Sequence, residues 1–138
     1  MGKMQREKGK RGEREFADEL KEALPQFADK IKRGLQSRDG AEVADVEGVP
    51  GFWFENKCGA KPNPRAALKQ AKAAAKQDQI VAVRIRDDRQ EPFFVLTAED
   101  FYTLIGAWFD YRIVYDYCPT EVLASIDKAR EKRRSSLR

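Results

Sequence analysis

Apolar residues recur at helical spacing early in the chain, at Phe16, Leu20, Ala23, Leu24 and Phe27. Glu15, Asp18, Glu19 and Glu22 fall between them, which predicts an amphipathic helix over 9–28 with these acids on its solvent side. Pro25 ends or kinks it. Glu13 lies three residues before Phe16, on the buried side of the first turn. Residues 31–47 alternate loosely around the turn signal Asp39-Gly40, predicting short strands near 32–37 and 42–46. After Gly48-Val49-Pro50-Gly51, the run FWFENKC is rich in aromatic strand formers and reads as a central strand. Alternation sets Phe52, Phe54 and Asn56 on one face and Trp53, Glu55 and Lys57 on the other.

The next segment, KPNPRAALKQAKAAAKQ, predicts a helix with Asn63 as N-cap and Pro64 at its first position. Ala67, Leu68, Ala71, Ala74 and Ala75 form its packing stripe. Lys61, Arg65, Lys69, Lys72 and Lys76 share another face, and no acid occurs from Asn56 to Gln77. QIVAVRIR reads as a strand, Asp87-Asp88 as a turn and PFFVLT as a second strand. Thr97 caps a helix over TAEDFYTLIGAWF, with acids in its first turn. YRIVYDY, at 111–117, reads as a further strand, and Pro119 to Arg134 as a last, basic helix. The aromatic cluster of Trp108, Phe109, Tyr111, Tyr115 and Tyr117 is most simply core or a dimer interface.

Composition narrows the chemistry. The 138 residues fit one domain, and 41% hydrophobic content supplies a core. There is no histidine, which excludes Ser-His and Cys-His catalysis and imidazole metal ligands. Cys58 and Cys118 show neither a disulfide framework nor metal-type spacing, so Cys58 is expected to be a small core residue. The charged N-terminus lacks an apolar secretory segment, and no apolar run approaches membrane-spanning length, so a cytoplasmic protein is expected. Net charge is +4, concentrated at the ends. Residues 1–14 carry six Lys/Arg against two acids, and 128–138 carry six against one. A basic arm over 1–8 and a basic tail over 119–138 therefore flank a mildly acidic body, a distribution suited to a polyanionic partner.

The candidate chemistry rests on carboxylates. Asp45 and Glu55 at adjacent strand ends suit a divalent cation such as Mg²⁺ or Mn²⁺, with a backbone carbonyl and waters completing the shell. Without a cation the two acids would repel and one pKa would rise. Lys57, on the face of Glu55, is placed to orient or help deprotonate an attacking water, and Glu13 to complete the shell from the first helix. Glu47, two residues beyond Asp45, is an alternative ligand. Taken alone, a Glu-x-Lys triplet is an ordinary surface ion pair; the upstream Asp, the aromatic strand and the basic helix give it its meaning.

These residues resemble a known family. Asp45 followed by Glu55-Asn56-Lys57 looks like the PD-(D/E)XK nuclease signature, with Ala44 in place of its proline and polar Asn56 in place of its usual aliphatic. KGKRGEREF at 8–16 resembles the opening of Holliday junction resolvases in that superfamily, and residues 8–106 are similar to small resolvases of bacteriophages. The resemblance implies an α/β, restriction-endonuclease-like core, α-β-β-β-α-β, with a mixed central sheet flanked by helices and C-terminal helices beyond it. It implies Asp45, Glu55, Asn56 and Glu13 as the Mg²⁺ or Mn²⁺ set, Lys57 as the catalytic lysine, and Gln70 as a glutamine turned toward the site. Ser37 falls in the segment where archaeal resolvases carry an active-site serine, and with Arg38 joins Lys10, Arg11, Arg14, Lys61, Arg65, Lys69, Lys72 and Lys76 as DNA-contacting candidates. The function implied is a homodimeric, metal-dependent endonuclease cutting branched DNA at four-way junctions. The alternatives are a nicking or restriction-like nuclease on duplex DNA and a non-catalytic DNA-binding module.

Overall fold

The computed structural model describes residues 2–35 and 42–117, together with the isolated positions 124, 127, 128, 131, 132, 134 and 135, all of them helical. Ser37, Arg38, the Asp39-Gly40 turn, Cys118 and most of the expected C-terminal helix lie outside the described residues. The chain separates into two compact units, residues 1–97 and 98–138.

The first unit runs α1 (Lys3–Ala23), a 3₁₀ turn (Pro25–Phe27), β1 (Lys32–Arg33), β2 (Val46–Glu47), β3 (Phe52–Gly59), α2 (Pro64–Ala74), β4 (Ile80–Asp87) and β5 (Phe93–Val95). It is α/β, with a five-stranded mixed sheet in sequential order. β1, β2 and β3 form an antiparallel meander; α2 then carries the chain over to β4, which pairs parallel to β3 along eight residues, and β5 returns antiparallel. The β2–β3 connection needs glycine at Gly48, where φ is +110° and a Cβ would lie 2.2 Å from the Lys30 carbonyl oxygen.

Strand alternation divides the core. Phe54, Val46 and Ala82 meet Phe16 and Ala17 of α1 on one face. Trp53, Val81, Val83 and Ile85 meet Ala67 and Ala71 of α2 on the other. Each fully buried Val, Ile or Phe side chain here contributes about 1.5–3 kcal/mol. α2 follows its sequence closely: the Asn63 side chain accepts a hydrogen bond from the Ala66 N–H, Pro64 opens the helix, and the alanine stripe faces the sheet.

α1 starts at Lys3 rather than near residue 9, so most of the segment expected as a basic arm is helical. Its first buried residue is Gly12, which is why apolar periodicity does not announce the earlier turns. Gly12 packs so close to the sheet that a Cβ there would lie 2.5 Å from Cys58 Sγ and 2.8 Å from Asn56 Nδ2.

Two of the acids expected on the solvent side of α1, Glu15 and Glu19, prove to have partners on the sheet. Arg84 of β4, fully buried, donates to both Glu19 oxygens, at 2.9 and 2.6 Å, and to Asn56 Oδ1 at 3.0 Å. Its guanidinium also lies 5.7 Å from the centre of the Phe16 ring. Glu15 takes an ion pair from Arg86 and lies 3.8 Å from Arg84. Charge has taken the place of an apolar contact across this part of the α1–sheet interface.

In the second unit, α3 (Ala98–Tyr117) is one continuous helix. The strand expected at 111–117 is therefore not formed: aromatic and β-branched content favoured a strand, but the sequence carries no proline until Pro119 to interrupt the helix. Trp108 and Phe109, expected as core or interface, are 57% and 60% exposed and so are not core. Among the described residues no helix is long and apolar enough to cross a membrane.

The buried arginine yields a stability prediction. Glu19→Ala leaves Arg84 short of its main counter-charge and should cost about 2–3 kcal/mol, softened by Glu15 nearby. Arg84→Met, which removes the charge and keeps the bulk, should cost distinctly less. Urea denaturation of the two variants measures the difference.

Candidate active site

The β2–β3 ladder brings the two signature acids together. Val46 pairs with Phe54, and the antiparallel register then sets Asp45 opposite Glu55. The Asp45 N–H donates to the Phe54 carbonyl at 2.9 Å, and the Asn56 N–H donates back to Asp45 Oδ2 at 2.8 Å. The Asp45 side chain thus closes the ladder where the β2 backbone leaves it. In an extended strand the N–H and C=O of one residue point to the same side. The Asn56 carbonyl therefore faces the edge from which Asp45 approaches.

Glu55 is half-buried, hydrogen-bonded to Asp45, and accepts from Trp53 Nε1 at 2.8 Å. Burial, reinforced by the Asp45 hydrogen bond and its charge, pushes the Glu55 carboxyl up to about 7. Trp53 and Lys57, both on its face of the strand, pull in the opposite direction without prevailing. Glu13 is also raised, first by burial and then by the Asp45 charge, while Arg33, Lys10 and Arg14 oppose the shift. Arg33 Nε lies 3.5 Å from Glu13 Oε2, so the helix acid is tied to β1 on the margin of the pair.

The expected residues are therefore sorted by the fold. Asp45, Glu55 and Lys57 come together, with Glu13 adjoining. Asn56 contributes backbone groups on this edge, while its side chain turns to the α1 face, accepting from Arg84 and donating to Cys58 Sγ at 3.1 Å. Cys58 is half-buried, as a partner of Asn56. Glu47 pairs with Lys32 across β1–β2, two residues past Asp45. Gln70 is exposed on α2, and no hydrogen bond links it to the acids among the described residues. Lys61, Arg65, Lys69, Lys72 and Lys76 are all exposed, but only Arg65, Lys69 and Lys72 lie on α2; Lys61 precedes it and Lys76 follows its C-cap Ala75, so the expected five-cation helical face is shorter. Lys10, which pairs with Glu7 at 3.6 Å, and Arg11 and Arg14 lie exposed on α1.

Sequence reasoning missed Arg84, Arg86, Glu15, Glu19 and Arg33 as members of this neighbourhood. The available signal was the arginine inside the apolar run IVAVRIR. Asn56, the other polar intrusion into a core strand, is its direct partner in the β3–β4 register.

Chemically, the pair offers oxygen donors only, which suits Mg²⁺ or Mn²⁺. Among the described residues no three His, Cys, Asp or Glu side chains are gathered as a ligand set. The donors available at this edge are two carboxylates and the Asn56 carbonyl, and a hard cation that keeps several waters is commonly held by one or two carboxylates. With no cation between the two acids, burial and the neighbouring Asp45 favour the protonated form of the Glu55 carboxyl. Comparison with family models, with curated proteins and with solved structures finds no match to this chain.

The Glu55 shift fixes a sign for the pH dependence of stability. The folded chain retains a proton that the unfolded chain releases near 4.5, so the folded state is favoured below that pH and loses the advantage as pH rises through about 7. Glu55→Gln removes the titration and keeps a Trp53 acceptor. It should be more stable than the parent at pH 8, by on the order of 1 kcal/mol after allowance for partial exposure, and show little difference at pH 4.5. Thermal melts across this range measure the effect.

Proposed function

We propose that the chain is a metal-dependent DNA endonuclease of the PD-(D/E)XK type, acting on branched DNA in the manner of a Holliday junction resolvase. The observation that carries this reading is the ladder register, which sets Asp45 against Glu55 with Lys57 following on the same face of β3. The element order supports it. The order α1-β1-β2-β3-α2-β4, with a meander followed by a parallel crossover, is the one that a restriction-endonuclease-like core requires.

In this reading Asp45, Glu55 and the Asn56 carbonyl would hold Mg²⁺ or Mn²⁺, and Glu13 would support them from α1. The ion, when bound, supplies charge to the scissile phosphate and lowers the pKa of an attacking water. Lys57 positions that water and offsets charge on the phosphate. Trp53 fixes the Glu55 carboxyl through its indole N–H and leaves one oxygen free of that bond. The cations of α2 hold the flanking backbone by phosphate contacts, which bind without reading sequence. A homodimer would offer two such sites to strands of opposite polarity.

The deciding experiment compares cleavage of a four-way junction, a fork, a flap and a linear duplex, each with Mg²⁺ and with EDTA. The proposal expects Mg²⁺-dependent cleavage of the junction, abolished by Asp45→Asn or Glu55→Gln while junction binding survives. Junction cleavage by both variants would sink the site assignment. Equal cleavage of linear duplex would favour a nicking or restriction-like enzyme, and cleavage of nothing a binding module. Arg65→Ala with Lys69→Ala should weaken junction binding and reduce the slope of log affinity against log salt by roughly 0.9 per lost contact.

A further inference from the structure

A second polar cleft of about 310 Å³ opens on the α1 face, where the carboxyl ends of the parallel strands β3 and β4 meet the start of α1. Its cations are Lys8, Arg11, Arg86 and Arg89, set against Glu15, Asp87 and Asp88, with Gly12 and Cys58 beneath them. Two of the cations are already neutralised: Lys8 pairs with Asp88, and Arg86 with Glu15. Arg11 from the helix and Arg89 from the β4–β5 turn are exposed on opposite walls and form no ion pair among the described residues.

The turn supplies an independent observation. The Gln90 N–H donates to the Asp87 carbonyl at 3.1 Å, so Asp87 to Gln90 form a four-residue turn with Arg89 third. Arg89 has φ +65°, the one non-glycine residue with positive φ among those described. Glycine or asparagine is the usual occupant of a turn position with that geometry. An arginine there works against backbone preference, and such strain gathers where a side chain has a task. The carboxyl ends of parallel strands are also where α/β sheets commonly take ligands.

We infer that this cleft is a phosphate-binding subsite, in which the guanidinium groups of Arg11 and Arg89 grip one phosphate group between helix and turn. A planar, always-charged fork suits phosphate oxygens, and the two guanidinium groups reach the cleft from different elements. The paired walls leave only a small positive excess, so the site takes a single phosphate weakly and with strong sensitivity to salt. The phosphate belongs either to a nucleic-acid backbone or to a free phosphate or nucleotide. The site stands on the cleft and the turn and does not need the Asp45–Glu55 pair to be catalytic.

Arg89→Gly separates binding from folding, because glycine relieves the turn while deleting the guanidinium. The full chain, labelled with ¹⁵N, is titrated with inorganic phosphate and, separately, with a four-way DNA junction, alongside Arg89→Gly, Arg11→Gln and Asp45→Asn. Phosphate should shift the amides of Gly12, Arg89 and Gln90. Arg89→Gly should melt no lower than the parent, lose those shifts and bind the junction roughly fivefold more weakly, its salt slope smaller by about 0.9. Asp45→Asn should keep the shifts, which distinguishes this site from the acid pair. Shifts with inorganic phosphate but none with the junction would support the subsite and assign it to a free phosphate or nucleotide. Absence of shifts with either ligand, or retention of the parental phosphate shifts by a stable Arg89→Gly, would overturn the inference.

Discussion

The arrangement of the first unit depends on one buried guanidinium. Arg84 sits in the middle of β4 with no exposed surface, and its donors reach α1 through Glu19 and β3 through Asn56. Ion pairs of this kind add little net stability against a well-packed apolar alternative, but they penalise every arrangement that leaves the charge unmatched. The interface between α1 and the sheet is therefore specified more than it is strengthened. Gly12 adds a second condition, because only a residue without a side chain fits against Cys58 and Asn56. Together they fix how far along the sheet the helix lies, and hence where Glu13 emerges beside β1.

The two faces of the sheet divide the work. On the α2 face, Trp53 and Glu55 occupy alternate positions of β3, and the indole that helps fill the core also holds the carboxyl. On the α1 face, Phe54 is core and Asn56 belongs to the charge network. A single strand thus carries acidic chemistry outward on one side and a positional lock on the other. The backbone of Asn56 joins the two, because its N–H is taken by the Asp45 carboxylate.

Much of this was legible in the sequence. Strict alternation in FWFENKC assigned the faces of β3 correctly, and the Asn63-Pro64 start and alanine stripe of α2 held because capping and small-residue packing are local. The opposition of Asp45 and Glu55 followed from a tight Gly-Val-Pro-Gly connection. What could not be read was long-range or context-dependent. Glu19 and Arg84 stand 65 residues apart, and helical periodicity places Glu19 in solvent unless the strand beneath it carries an arginine. Residues 111–117 have strand-like composition yet extend α3, since propensity is a weak prior once a helix is already running. The start of α1 was missed for a simpler reason: its first turns bury nothing.

The parallel pairing of β3 with β4 also sets an order of assembly. An antiparallel meander can close as soon as it is synthesised, whereas β4 joins only after the whole α2 crossover has been made. α1 comes first in the chain, yet its charge partner is residue 84 and its apolar platform spans both strands. The docking surface of α1 is therefore complete only after β4 has followed it in synthesis. The helix that precedes the sheet can dock only once the sheet is complete.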